Sequence, residues 1–152
     1  MKTLSDRACL KEILDRLSGV RADSPRRWGK MNAHQMICHL NDSLLVAMGQ
    51  KTVSKAPSII PRRLVKWIAL YIPMRWPKGV PTRPEVDQQK QGTAPADFQA
   101  DLDAVVSLTQ EFVRAPRTFT FGTHPMFDEM TEADWMRWGY LHADHHLRQF
   151  GC

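Results

Sequence analysis

A stripe of five side chains near the C-terminus restricts the fold of this chain most strongly. The stripe has 3-4-4-3 spacing and consists of Trp135, Trp138, His142, His146 and Gln149. Residues at that spacing lie on one face of an α-helix. Because the face carries two tryptophans, we expect it to pack against the rest of the protein. The two histidines on the same face should therefore point inward.

Three other long segments also have apolar residues at helical spacing. The first covers about residues 5–18, with Ser5 as the expected N-cap. The second begins at Asn32, with Gln35 completing a capping box, and the third runs from about Asp97 to Arg114.

The C-terminal helix is expected to begin at Thr131, with Asp134 at its third position, and to end near Phe150. Residues 117–122 alternate briefly like a strand, but no partner strand is apparent, so we interpret them as an extended connector. Four long helices without convincing strands predict an all-α fold of the helix-bundle class.

The region from about residue 50 to residue 96 is irregular and contains most of the ten prolines. Within it, residues 64–72 form an apolar run bounded by Pro61 and Pro73, which predicts a short extra helix. The arginines that flank this run allow a membrane-surface interpretation. We favour a helix that covers the other helices or makes a dimer contact, and we do not expect membrane association.

Bulk properties fit a single domain spanning residues 1–152 with a real core. The basic excess, 21 Lys and Arg against 16 Asp and Glu, lies in scattered pairs without interleaved aromatics, so we do not expect nucleic-acid binding. Three cysteines do not suggest a disulfide framework, and Cys38 is expected to be a small buried thiol. With no apparent signal peptide, the expected location is the cytoplasm.

The histidines are the main candidates for chemistry. His142 and His146 are four residues apart, which allows both imidazoles to bind one transition-metal ion. His39 lies within the second predicted helix and is the natural third ligand. His145 is turned about 60° from His142 and about 100° from His146, so it could replace His146 or lie at the edge of the site. Asp42 could orient an imidazole, although a surface acid is the simpler interpretation.

Two blocks of sequence resemble the DinB-like superfamily. The first is the Trp28–Met31 segment followed by Gln35–Leu40, and the second is Phe121–Phe127 followed by His142–Gly151. The closest resemblance is to a subfamily without an assigned function. It implies an up-down-down-up four-helix bundle, a divalent metal bound by the residues at positions 39, 142 and 146, and frequent dimerisation. One departure is visible, because Asp128 stands where the pattern has glycine.

Relatives in that superfamily include bacillithiol transferases and mycothiol-dependent enzymes. The resemblance therefore suggests a metal-dependent thiol S-transferase, acting on a low-molecular-weight thiol, or a hydrolase. His145 and Asp42 are candidates for a general base or a supporting residue. An all-histidine site suits zinc or nickel, with iron or copper as alternatives. The competing hypothesis is a non-catalytic metal-binding or stress-associated protein that works through protein contacts.

Overall fold

The computed structural model describes all residues from Met1 to Cys152, and its regular structure is entirely helical. Five α-helices and one 3-10 helix follow one another along the chain. They are α1 (Arg7–Ser18), α2 (Ala33–Ala47), α3 (Arg62–Tyr71), the 3-10 helix (Pro84–Val86), α4 (Phe98–Val113) and α5 (Glu132–Gln149). The predicted all-α class is confirmed, and residues 117–122 form no strand. None of the helices combines the length and hydropathy needed to cross a lipid bilayer.

Side-chain caps fix where the helices begin. The predicted capping box of α2 is present, formed by Asn32 with Gln35. The predicted start of α5 at Thr131 is confirmed, and Thr131 forms a capping box with Asp134 as well. The predicted cap of α1 was wrong by one residue. The Asp6 carboxylate, rather than the Ser5 hydroxyl, accepts a hydrogen bond from the Cys9 backbone at 2.9 Å. Asp6 is the residue with extended backbone immediately before the helix, which is the position from which a side chain can reach that amide.

The core forms where four helices meet. Helix α2 packs against α4 and α5, and α1 packs against the same two helices. The largest fully buried side chains include Trp135 from α5, Phe112 from α4 and Met36 from α2. Burial of aromatic and aliphatic side chains of this size contributes about 1.5–3 kcal/mol each relative to exposure. This core holds α2 and α5 side by side, and the candidate histidines lie on these two helices.

Asp128 has a left-handed backbone conformation, with φ of 58°. Glycine adopts this conformation without strain, so Asp128 has a backbone conformation that suits glycine. The Asp128 carboxylate lies 2.9 Å from Lys55 Nζ and 3.4 Å from Arg62 Nε. These ion pairs join the loop before α5 to the irregular segment that leads into α3.

Candidate metal centre

Three histidine side chains converge between α2 and α5. One nitrogen from each of His39, His142 and His146 lies within 4.8 Å of the other two. The Nε2 atoms of His39 and His142 are 3.3 Å apart. Two ligands at about 2.0–2.1 Å from a tetrahedral zinc ion are separated by about 3.3 Å, so this spacing is already suitable for a shared ion. His39 and His146 are buried, and His142 is partly exposed.

The orientation of His39 is set by the 3-10 helix. Its Nδ1 lies 2.7 Å from the carbonyl oxygen of Val86. A carbonyl oxygen can only accept, so Nδ1 carries the proton and Nε2 keeps a free lone pair that faces the other histidines. A histidine that binds a metal usually donates its second ring N–H in this way. The irregular region therefore contributes a backbone group to the centre.

Gln149 sets the orientation of His146 in the same way, by accepting a hydrogen bond from its Nδ1. The Gln149 side-chain nitrogen donates to the carbonyl oxygen of Trp28 at 2.8 Å, so its amide oxygen must face His146. That oxygen lies 3.0 Å from Nδ1 of His146. The proton is therefore on Nδ1, and Nε2 is again unprotonated. The sequence pattern predicted that Gln149 points inward but did not indicate its role; its position three residues after His146 was the available signal.

Aromatic rings support the third histidine. The ring of His142 stacks on Trp138, with a centroid distance of 4.8 Å and an angle of 15° between planes. Trp76, from the segment after α3, lies 6.3 Å from the same imidazole. These contacts restrict the plane of the ring without using its nitrogens, which leaves Nε2 available to the cluster.

The surroundings keep the three imidazoles neutral. Burial lowers the pKa of His39, and it lowers the pKa of His142 and of His146 well below the usual value. For His142 and His146, the proximity of the other histidines lowers the pKa further, because two neighbouring positive charges repel. Neutral imidazole is the form that binds a metal ion. The site is thus in a metal-binding protonation state at neutral pH.

His145 lies at the edge of the cluster. Its ring centroid is 5.2 Å from that of His146, and it also contacts Trp28 and Trp76. The Nδ1 atom is buried and has no hydrogen-bond partner. Burial also lowers the pKa of this imidazole. The structure therefore leaves a neutral, unengaged nitrogen beside the three converging histidines.

The interpretation of Asp42 as a surface acid was wrong. Its side chain is fully buried, and its carboxylate lies 2.7 Å from Lys51 Nζ. The same carboxylate accepts hydrogen bonds from Gln88 and from the backbone and hydroxyl of Thr93. It forms no hydrogen bond to a histidine. These contacts tie the irregular region to α2, and the sequence could not show them because the partners are distant along the chain.

A second group of possible metal ligands, formed by His34, Cys38 and Asp101, lies between α2 and α4. His34 Nε2 is 2.7 Å from the Asp101 carboxylate, and the Cys38 thiol donates to the same oxygen at 3.6 Å. The prediction of Cys38 as a buried thiol is confirmed. Burial and the nearby Asp101 raise the pKa of Cys38 to about 12. With each donor already paired to Asp101, this group joins α2 to α4.

His124 lies in the loop before α5. Its Nδ1 accepts hydrogen bonds from the backbone amides of Met126 and Phe127, both at 3.2 Å. The side chain thus caps the turn before α5, while Thr131 caps the helix itself. The imidazole is buried and stacks on Phe127.

These features define a helical protein with a buried three-histidine group that could hold a metal ion. The chain belongs to the family described as a protein of unknown function (DUF1569), whose model matches residues 6–151. Neither a curated protein nor a solved structure matches the chain.

Proposed function

We propose that this protein is a DinB-like four-helix bundle, built from α1, α2, α4 and α5, that binds one divalent transition metal through His39, His142 and His146. The observation that carries the proposal is the hydrogen bonding of the ring nitrogens. Val86 and Gln149 each accept from an Nδ1–H group and leave Nε2 free toward the same point. Buried histidines with only a packing role do not need such a shared direction.

The three imidazole ligands restrict which ion the site would bind and what chemistry that ion would support. Three imidazoles suit zinc or nickel, with iron or copper as alternatives. Three protein ligands leave a coordination position open, as in catalytic rather than structural zinc sites. A divalent ion held there would lower the pKa of a water or thiol that occupies the open position.

The proposed activity is that of a metal-dependent enzyme, either a thiol S-transferase or a hydrolase. His145 is the group best placed to accept a proton, because its Nδ1 is unpartnered and burial favours its neutral form. Asp42, the other candidate, is engaged by Lys51 and Thr93. It would act by holding the irregular region against α2.

Turnover measurements test this proposal. The metal-loaded protein would be assayed for conjugation of small thiols to an electrophile and for ester hydrolysis, with and without a chelator. We expect chelation to abolish turnover, and His145→Gln to lower kcat while metal content stays unchanged. Turnover that resists chelation would contradict metal catalysis. Normal kcat in His145→Gln would remove the role of His145.

A non-catalytic metal-binding protein is the second candidate. It is favoured by the burial of His39 and His146 and by the lack of any carboxylate hydrogen-bonded to the three histidines. Stoichiometric metal without turnover on any thiol or ester substrate would support it. The resemblance also implies a homodimer, which sedimentation equilibrium of the purified protein tests.

A further inference from the structure

Helix α3 exposes its apolar face to solvent. Trp67 is 54% exposed and Leu64 is 47% exposed, and Ile68 and Tyr71 are also exposed. At about 100° per residue these four side chains occupy one continuous side of the helix. A helix on the surface of a water-soluble protein ordinarily turns such a side toward the core. In α3 the apolar side faces the solvent instead.

Polar contacts hold α3 in this orientation. The Arg62 guanidinium, on the inward side, donates to the carbonyl oxygens of Pro125 and Ala56, each at 2.9 Å. Lys66 Nζ lies 3.1 Å from the Asp134 carboxylate of α5. Leu70 is the only fully buried side chain of the helix. Rotation of α3 to bury its apolar side would break the contacts of Arg62 and Lys66, so the exposure is a fixed property of the fold.

Residues before and after α3 also expose apolar side chains. Eight of the nine large hydrophobic side chains that are exposed in the whole chain lie within residues 59–80, which we call the basic-apolar surface. Outside the helix these are Ile59, Ile60, Met74 and Val80. Exposed apolar groups concentrated in one segment mark an interaction site, whereas scattered ones do not.

The charge of this region is strongly one-sided. Residues 51–84 contain eight Lys and Arg and no Asp or Glu, while the rest of the chain has 13 basic and 16 acidic residues. Arg63, Arg75 and Lys78 are exposed and form no ion pair with a carboxylate. The positive net charge of the protein is therefore carried by the segment that also carries its exposed apolar side chains.

The sequence alone did not favour membrane association, but the exposed apolar side of α3 and its unpaired cations change that expectation. We propose that the basic-apolar surface binds the interface of an anionic lipid bilayer. Exposed Trp side chains favour the headgroup region, and neighbouring cations attract anionic lipids. A second copy of this chain fits the surface less well. In a two-fold dimer the same patch meets itself, which would bring two cationic surfaces together. The Trp67 side of α3 would lie in the interface with Arg63 and Arg75 at headgroup level.

Vesicle cosedimentation tests the proposal. The probe is phosphatidylcholine vesicles with and without phosphatidylglycerol, at low and at high salt. We expect binding only to the anionic vesicles and weakening by salt. Arg63→Glu with Arg75→Glu should lower the partition coefficient about thirtyfold or more, because each basic residue near an anionic surface contributes about 1 kcal/mol. Trp67→Ser with Ile68→Ser should lower it at least about tenfold.

A matched control separates this surface from the net charge of the protein. Arg7→Glu with Arg114→Glu makes the same charge change at exposed residues elsewhere and should retain most of the binding. Wild-type protein that stays in solution with anionic vesicles would overturn the proposal, as would an equal loss in the control. A soluble dimer that Trp67→Ser with Ile68→Ser converts to monomers would also overturn it, in favour of a self-contact. Circular dichroism checks that each variant is folded.

Discussion

Replacement of Gln149 by leucine should weaken metal binding and also lower the stability of the metal-free protein. The side chain is almost fully buried and makes two hydrogen bonds, one to His146 Nδ1 at 3.0 Å and one to the Trp28 carbonyl at 2.8 Å. Leucine has a similar volume and can make neither bond. Without an acceptor at Nδ1, the His146 ring is free to move its proton to Nε2, the nitrogen that faces the other histidines.

The expected magnitude follows from these two bonds. Removal of a group that supports a metal-binding histidine typically costs 10–100-fold in metal affinity, which is about 1.4–2.7 kcal/mol. The two former partners, one N–H and one carbonyl, are left without protein contacts, at a cost of about 1–3 kcal/mol each if they stay dry. We therefore expect a Kd at least about tenfold higher, together with a metal-free protein that still folds but unfolds at lower urea.

Competition with a chromophoric chelator measures the Kd, and urea unfolding of the metal-free protein measures stability. Gln149→Glu is the matched variant, because it keeps an acceptor for Nδ1 while it replaces the donor to Trp28 by an oxygen and adds a negative charge. It should bind metal within about threefold of wild type. Equal affinity in wild type and Gln149→Leu would refute the role of Gln149 in orienting His146. An equal loss in Gln149→Glu would show that the contact with Trp28 matters instead.

Three further predictions concern other residues. His124 has a pKa lowered to about 3 by burial, so the folded protein binds its proton more weakly than the unfolded chain and stability falls as pH drops below about 6.5. His124→Asn keeps an acceptor for the turn. Between pH 6.5 and about pH 5 its free energy of unfolding, measured with urea, should fall by about 2 kcal/mol less than that of the wild type. Identical pH profiles of wild type and variant would contradict this. Asp42→Asn breaks the buried ion pair with Lys51 and should lower the free energy of unfolding by about 3 kcal/mol, with little change in the metal Kd. A large change in Kd without a loss of stability would show that Asp42 supports the metal centre rather than the fold. Cys38, with its pKa raised to about 12 by burial, should be alkylated at least about a hundredfold more slowly than Cys152 near pH 8, as measured by mass spectrometry; equal rates would show that the site opens readily.

Local sequence signals predicted the helices well. The capping boxes at Asn32 and Thr131 and the apolar spacing that follows them are properties of a few consecutive residues. The i,i+4 relation of His142 and His146 is local too, and it correctly indicated that the two rings face the same way.

Other features depend on residues far apart in the chain, and the sequence could not supply them. The carbonyl of Val86 reaches His39 across 47 residues, and the Thr93 hydroxyl donates to the buried Asp42 carboxylate across 51 residues. The sequence pattern also could not predict which side of α3 faces solvent. Its apolar side suggested burial, but the fixed partners of Arg62 and Lys66 turn it outward.

Metal stoichiometry tests directly whether the three histidines bind one ion. Protein purified without a nickel column would be stripped, loaded with cobalt(II) as a spectroscopic probe, dialysed, and assayed by elemental analysis and visible absorption. We expect one ion per chain, lost in the alanine variants of His39, His142 and His146 and retained in His34→Ala. Retention in all three site variants, or loss only in His34→Ala, would contradict it and place the ion elsewhere.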